Sequence, residues 1–265
     1  MYPTLEIFSV RFYTFGFIVA CTWLLFFVLL HRFSLQRGLL RPIFSDIITF
    51  TLSIFFFARV FHILRDWLDE KFILMELLEG RVGEFLKLFF IPQNYLFSLF
   101  GAIVGFILIF IIKTHTLRKD RNRYIDAIVL AFLSSSLLGY FWALLGGQIY
   151  GIPFSSPVSI VYDHADSIVK DRAPLFPLAF FYIIITGAIL FGIQKFNSQK
   201  TLPDGFIGYI GIGAFSLMIF LWEFLDGARK DIFYDFFSLS LNQLWALFGL
   251  IFAILWMLSL IKKRI

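Results

Sequence analysis

The sequence predicts an all-α, polytopic membrane protein of seven transmembrane helices. Three observations carry that expectation. Hydrophobic residues make up 60% of the 265 positions and charged residues only 15%, where soluble globular chains run at about 45–50% and about 25%. Mean hydropathy is +0.85. The apolar residues also fall in long uncharged runs, close to the ~20 residues that a helix needs to cross hydrocarbon. A chain so poor in charge cannot cover itself in water. An ordinary soluble enzyme, a disordered chain and a nucleic-acid module are therefore excluded, although the net charge is +5.

Taken in order, the runs free of Asp, Glu, Lys and Arg are 12–30, 88–112, 127–145, 173–194, 205–222 and 236–261. All are long enough to span. A seventh run, 43–64, qualifies with Asp46 at its edge and Arg59 inside it. Pro92 lies in the run at 88–112 and either starts or breaks a helix there. No cleavable signal peptide is expected. Glu6 precedes Arg11, the only basic residue ahead of the first run, and no small-residue cleavage site follows that run. The first helix is expected to stay in the protein.

Basic residues orient the bundle. Arg32, Arg37 and Arg41, then Lys113, Arg118, Lys119, Arg121 and Arg123, then Lys195 and Lys200, then Lys262, Lys263 and Arg264 fall on one side. Arg11, Arg65, Lys71, Arg81, Lys87, Lys170, Arg172, Arg229 and Lys230 fall on the other, over longer loops richer in acids. The positive-inside rule places the first, larger set in the cytoplasm. The N-terminus is then outside and the C-terminus cytoplasmic. The outer loops, 65–87, 146–172 and 226–235, are the long ones. Within them 72–80 reads as a short helix lying in the interface. No tandem repeat, linker or second domain is visible, so residues 1–265 form a single integral membrane domain.

Ionisable groups inside a membrane cost about 2.5–3.5 kcal/mol each on insertion scales and mark where chemistry is sought. Arg59 lies deep in the second helix and Glu223 closes the sixth uncharged run. Either they share a polar cavity or each snorkels to the interface. His62 follows Arg59 by one turn on the same helical face, as a base or as an interfacial histidine. Gly101 and Gly105 have the spacing of close helix contact. Gly146, Gly147 and Gly151 either let the backbone approach a headgroup phosphate or simply turn the chain. Cys21 is the one cysteine, which allows neither an intrachain disulfide nor a cysteine-based metal site. No phosphate-binding loop, metalloprotease helix or serine-hydrolase elbow occurs, and no metal or organic cofactor is implied.

The order of these pieces resembles the bacterial prolipoprotein diacylglyceryl transferase family along nearly the whole chain. RFYTFGF resembles the family's HWYG segment, with Tyr13 on its tyrosine. FFFARVFHI resembles GGRxGY, with Arg59 on its arginine. FSLFGAIVG resembles SFHGGLxG and keeps Ser98, Gly101 and Gly105. Asp126 matches an aspartate that opens the fourth helix. GYFWALLGGQIYG resembles the signature GRxGNFxNGExxG and keeps Gly139, Gly147 and Gly151. FPLAFFYIIITG resembles HPSQLYExxxEG and keeps Pro177 and Gly187. FLWEFLD places Glu223 on the glutamate of RFxxEFxR. LSLNQ resembles LTxGQ and keeps Ser240 and Gln243.

The departures fall on the polar positions. Phe100 replaces the family's histidine. Tyr140, Ala143, Gly146 and Gln148 replace the signature's arginine, two asparagines and glutamate. Ile219 and Asp226 replace the arginines flanking Glu223, and Phe176 and Tyr182 replace a histidine and a glutamate. The resemblance implies seven helices in the bacterial cytoplasmic membrane. It also implies transfer of a diacylglyceryl group from phosphatidylglycerol to the lipobox cysteine of a prolipoprotein at the outer face. It nominates Tyr13, Arg59, His62 and Glu223 as catalytic, and Arg59, Ser98, Gly101, Gly147, Gln148, Gly151 and Gln243 as headgroup ligands, with Asp226, Arg172 and Arg229 as auxiliaries. Fewer cations mean weaker phosphate binding. Three readings follow: a transferase with a rewired site, a catalytically silent homologue that binds lipid or prolipoprotein, and a small transporter or assembly factor. No nucleic-acid partner is expected.

Overall fold

The computed structural model describes residues 4–7, 10–39, 47–70, 99–115, 120–163, 172–197, 202–227 and 239–262, with single positions at 80, 83 and 169. Among them are seven α-helices: α1 (Thr14–Gln36), α2 (Ile47–Glu70), α3 (Leu99–Thr114), α4 (Arg121–Gly146), α5 (Leu178–Asn197), α6 (Phe206–Trp222) and α7 (Leu241–Lys262). Each falls on one of the apolar runs. Five of them, α1, α4, α5, α6 and α7, are long and apolar enough to cross a membrane. The apolar stretches of the other two are shorter, Ile47–Phe61 and Gly101–Thr114.

One small departure from an all-helical chain precedes α1. Strands β1 (Thr4–Ile7) and β2 (Val10–Tyr13) form an antiparallel hairpin that sets Glu6 opposite Arg11. The alternating, β-branched and aromatic VRFY favours extended backbone, so positions 12 and 13 belong to a strand and not to the first helix. Other boundaries shift for local reasons. α1 runs past its apolar stretch to Gln36 and ends on Gly38, at φ 69. The Leu39 N–H donates to the Ser34 carbonyl and the Gly38 N–H to the Leu35 carbonyl, both at 3.0 Å, which closes a Schellman motif. α5 starts at Leu178, not 173, because Pro174 and Pro177 hold the preceding backbone extended. α2 continues to Glu70, into the expected loop. The expected interfacial helix at 72–80 lies outside the described residues except for Gly80.

The chain divides into two compact units, one of residues 1–42 with 121–265 and one of residues 43–120. In the first, α4 is central and packs on α1, α5 and α6, while α6 also packs on α5 and α7. Lipid offers no hydrophobic drive for helices to associate, so close packing must hold them. A Cβ at Gly208 of α6 would lie 2.7 Å from the Ile125 side chain of α4. One apolar cluster gathers Val129, Leu130, Leu133, Ile193 and Ile207. A second, toward the other ends of the same helices, gathers Leu178, Tyr182 and Met218.

Asp126 fastens the first of those ends. Its Oδ1 accepts the Gly208 N–H at 2.6 Å, and its Oδ2 accepts the Gly205 N–H at 2.9 Å and Arg37 Nη1 at 2.6 Å. A carboxylate on α4 thus caps α6, which has no side-chain cap of its own, and ties in α1. Arg123 and Asp204 form a second, exposed pair at 2.8 Å. In the second unit α2 packs on α3. A Cβ at Gly105 would lie 2.7 Å from the Ser53 carbonyl, and one at Gly101 would overlap the Phe57 carbonyl. Ser53 Oγ donates to the Gly105 carbonyl at 3.0 Å. The GxxxG spacing is used for backbone contact between these two helices.

Candidate functional site

The site grows from the junction of α6 and α7. α6 passes into a single 3-10 turn, Glu223–Leu225, whose first residue is an acid only 4% exposed. The sequence SLNQ then starts α7 with a capping box. The Gln243 N–H donates to Ser240 Oγ at 3.2 Å, and Gln243 Oε1 accepts the Ser240 N–H at 2.9 Å. Because Ser240 Oγ accepts from Gln243, its own proton is free to point elsewhere, and it points at Glu223 Oε1, 2.9 Å away. Asn242 Nδ2 donates to the same oxygen at 2.8 Å. A buried carboxylate is costly unless hydrogen-bonded. Here one helix start supplies two donors.

Three chain segments cross beside this junction. The Gly151 N–H donates to the Phe176 carbonyl at 2.9 Å, the Ile152 N–H to the Leu225 carbonyl at 3.0 Å, and the Gly227 N–H to the Tyr150 carbonyl at 3.0 Å. Gly151 also pairs with Asp226 as an isolated antiparallel bridge. A Cβ at Gly151 would sit 2.6 Å from Phe176 Cβ, so only glycine admits the crossing. Upstream, α4 ends at Gly146 and is followed by Gly147, at φ 73. The Gln148 N–H returns to the Ala143 carbonyl at 3.1 Å, and Tyr162 Oη donates to the Leu144 carbonyl at 3.3 Å. These bonds satisfy carbonyls that a helix end otherwise leaves open. Burial pushes the Tyr162 phenol up to about 12.

Four of the positions that depart from the resembled motifs converge here. Tyr140, Phe176, Tyr182 and Ile219 all belong to the apolar cluster around Leu178 and Met218, with Trp222. The Tyr140 and Tyr182 rings lie 5.1 Å apart. Phe176, Phe181 and Trp222 form a stack, with centroids 4.9 Å apart for Phe176 and Phe181 and 5.1 Å for Phe181 and Trp222. Glu223 and Asp226 are near enough to act electrostatically on the Tyr182 hydroxyl. Rings and phenols are thus packed together at these helix ends, with the Glu223 and Asp226 carboxylates acting on one of the phenols.

The nominated residues are distributed as follows. Glu223, Gln243, Gly147, Gln148 and Gly151 lie in this unit, around the α6–α7 junction and the crossing beside it. Gln243 is fully buried and serves as a helix cap, with its Nε2 donating to the Phe220 carbonyl at 3.3 Å. Gly147 and Gly151 are turn and crossing glycines. Tyr13 ends β2 in the same unit, with its side chain outside the description. Arg59 is buried in α2, and Gly101 is packed on that helix; both belong to the 43–120 unit. His62 continues α2 one turn on, its side chain again outside the description, and Ser98 lies outside the described residues. Asn242 and the Ser240 hydroxyl were not nominated from sequence, although the S-x-x-Q spacing was there to be read as a cap.

Several helices long and apolar enough to cross a membrane, with a buried carboxylate and a packed aromatic cluster near the junction of two of them, define a multi-pass membrane protein. The family model for prolipoprotein diacylglyceryl transferase matches residues 3–259. The chain therefore belongs to that family, one of membrane transferases in lipoprotein biosynthesis that act on phospholipid and prolipoprotein substrates. Individual curated proteins give no match.

Proposed function

We propose that this protein binds the family's substrates, a phosphatidylglycerol-type phospholipid and a prolipoprotein signal peptide, at the outer face of the bacterial cytoplasmic membrane. In this reading residues 1–265 form one membrane domain of seven spans, with the N-terminus outside and the C-terminus inside. That orientation puts the Glu223 end outside and the Asp126 end, with Arg37 and Arg123, in the cytoplasm, as the distribution of basic residues asks.

The observation that carries the proposal is the hydrogen-bonded Glu223 carboxylate beside the Tyr140, Phe176, Tyr182 and Trp222 rings. Rings and phenols accommodate acyl chains and headgroup hydroxyls. Departure of a glycerol phosphate, by contrast, calls for cations, and the four converging side chains here are neutral. Binding without turnover is what this lining supports best. A second reading, diacylglyceryl transfer by a rewired site, is favoured by the retention of Arg59 and Glu223 as buried ionisable groups. There Tyr13 would donate a hydrogen bond and His62 would act as base toward the acceptor thiol, whose free pKa is about 8.5.

Complementation separates the two. The full chain is expressed in a transferase-depleted bacterium and lipidation of a reporter precursor is scored. Binding without turnover predicts that phospholipid and precursor co-purify with the chain while the reporter stays unlipidated. Lipidation that disappears in Arg59→Ala establishes the second reading.

A further inference from the structure

Both described donors to Glu223, Ser240 Oγ and Asn242 Nδ2, address the same oxygen, Oε1. Among the described residues, Oε2 takes no hydrogen bond, and it is not one of the polar atoms sealed inside without a partner. Ser240 is locked by its capping box with Gln243. Asn242 is exposed and lies in the position of the glycine in LTxGQ. Two donors on one oxygen fix a carboxylate's rotation, because turning it would break both bonds. Glu223 interacts electrostatically with the Tyr182 hydroxyl of α5, as does Asp226, the residue after the 3-10 turn, and Tyr140 from α4 stands against Tyr182.

We propose that Asn242, acting with Ser240, is a positioning residue that pins Oε1 of Glu223 and turns Oε2 toward a hydrogen-bond donor on the lipid headgroup. The headgroup class is one that carries O–H or N–H, such as glycerol or a primary ammonium, and a quaternary ammonium headgroup is excluded from this contact. Asn242 then sets lipid selectivity through Glu223 without touching lipid. The inference rests on the phospholipid-binding function proposed above.

The test uses the full chain in nanodiscs with equal parts of phosphatidylglycerol, phosphatidylethanolamine and phosphatidylcholine, then native mass spectrometry of the lipids retained on release. The wild type should retain the first two about tenfold over phosphatidylcholine, the scale of one hydrogen bond to a charged group. Asn242→Leu should bring that ratio close to one, and Asn242→Gln, which keeps the amide donor, should restore it. Thermal unfolding of the same samples separates positioning from folding. The infrared carboxylate band of Glu223, isolated as wild type minus Glu223→Gln, should shift in Asn242→Leu even in lipid-free protein. A band that stays put, or selectivity that falls only in step with the melting temperature, overturns the positioning. A wild type that retains no phospholipid overturns the function on which the headgroup rests, while the band still judges the geometry.

Discussion

Tyr162 shows how much one side chain can hold at the end of a helix. Its ring lies under Gly147, where a Cβ would come within 2.8 Å of it, and its hydroxyl closes the last turn of α4. Burial raises its pKa from 10.0 to about 12. A raised folded-state pKa gives stability that is complete below pH 10 and is lost as pH climbs toward 12. Alkaline melts should therefore show a fall in melting temperature between those values, and Tyr162→Phe should flatten it. An equally steep fall in the variant would place the alkaline weak point elsewhere. Ser240 is a second case. Ser240→Ala removes a helix cap, worth typically about 1 kcal/mol, and also strips a donor from a buried carboxylate. Denaturation in nanodiscs should show a loss of about 2–3 kcal/mol, larger than an ordinary cap deletion. Sequence reading found Glu223, because a charge closing an apolar run is conspicuous. It passed over Asn242, because a polar residue near a membrane surface looks ordinary until its partner is known.

At the scale of elements, the helices were legible because hydrocarbon permits only long apolar stretches with internally satisfied backbone. Their ends were less so. α1 continues past Arg32 and α4 starts among Arg121, Arg123 and Asp126, and their last turns are closed by Gly38 and Gly147, which hydropathy does not see. Arg37 read as a topological charge, yet it also pairs with Asp126 from a sequence distance of 89 residues, a relation that no local pattern announces. Asp126→Asn should cost about 3 kcal/mol, the scale of breaking a buried ion pair, and should free both the start of α6 and the end of α1. Hydrogen exchange localised to residues 205–208 would check it, and unchanged protection there would refute the cap. In the other unit, Gly101→Val drives a side chain into the α2 backbone. A loss of about 1–3 kcal/mol from overpacking is expected, read as reduced thermal stability.

For the molecule as a whole, charge asymmetry makes a claim that helix packing alone does not. With Cys21 replaced by Ala, single cysteines at Ser155, in the loop after α4, and Gln36, at the end of α1, report sidedness. A membrane-impermeant maleimide should label Ser155→Cys in intact cells and Gln36→Cys only after lysis. Family membership could be read from the order of short motifs spread along the chain. The chemistry could not, because the positions that would carry it hold Tyr140, Phe176, Tyr182 and Ile219, and their convergence on one ring-lined place is a property of the fold. The proposed function requires that place to hold lipid. Photo-crosslinking reads it directly: a phospholipid with a photoactivatable group near its glycerol is incorporated with the full chain, and the adducts are mapped by peptide mass spectrometry. Adducts concentrated on the peptides that carry Tyr140, Tyr182 and Trp222, and reduced in Glu223→Gln, are the expected result. Adducts spread evenly over the lipid-facing helices, indifferent to Glu223, would contradict it.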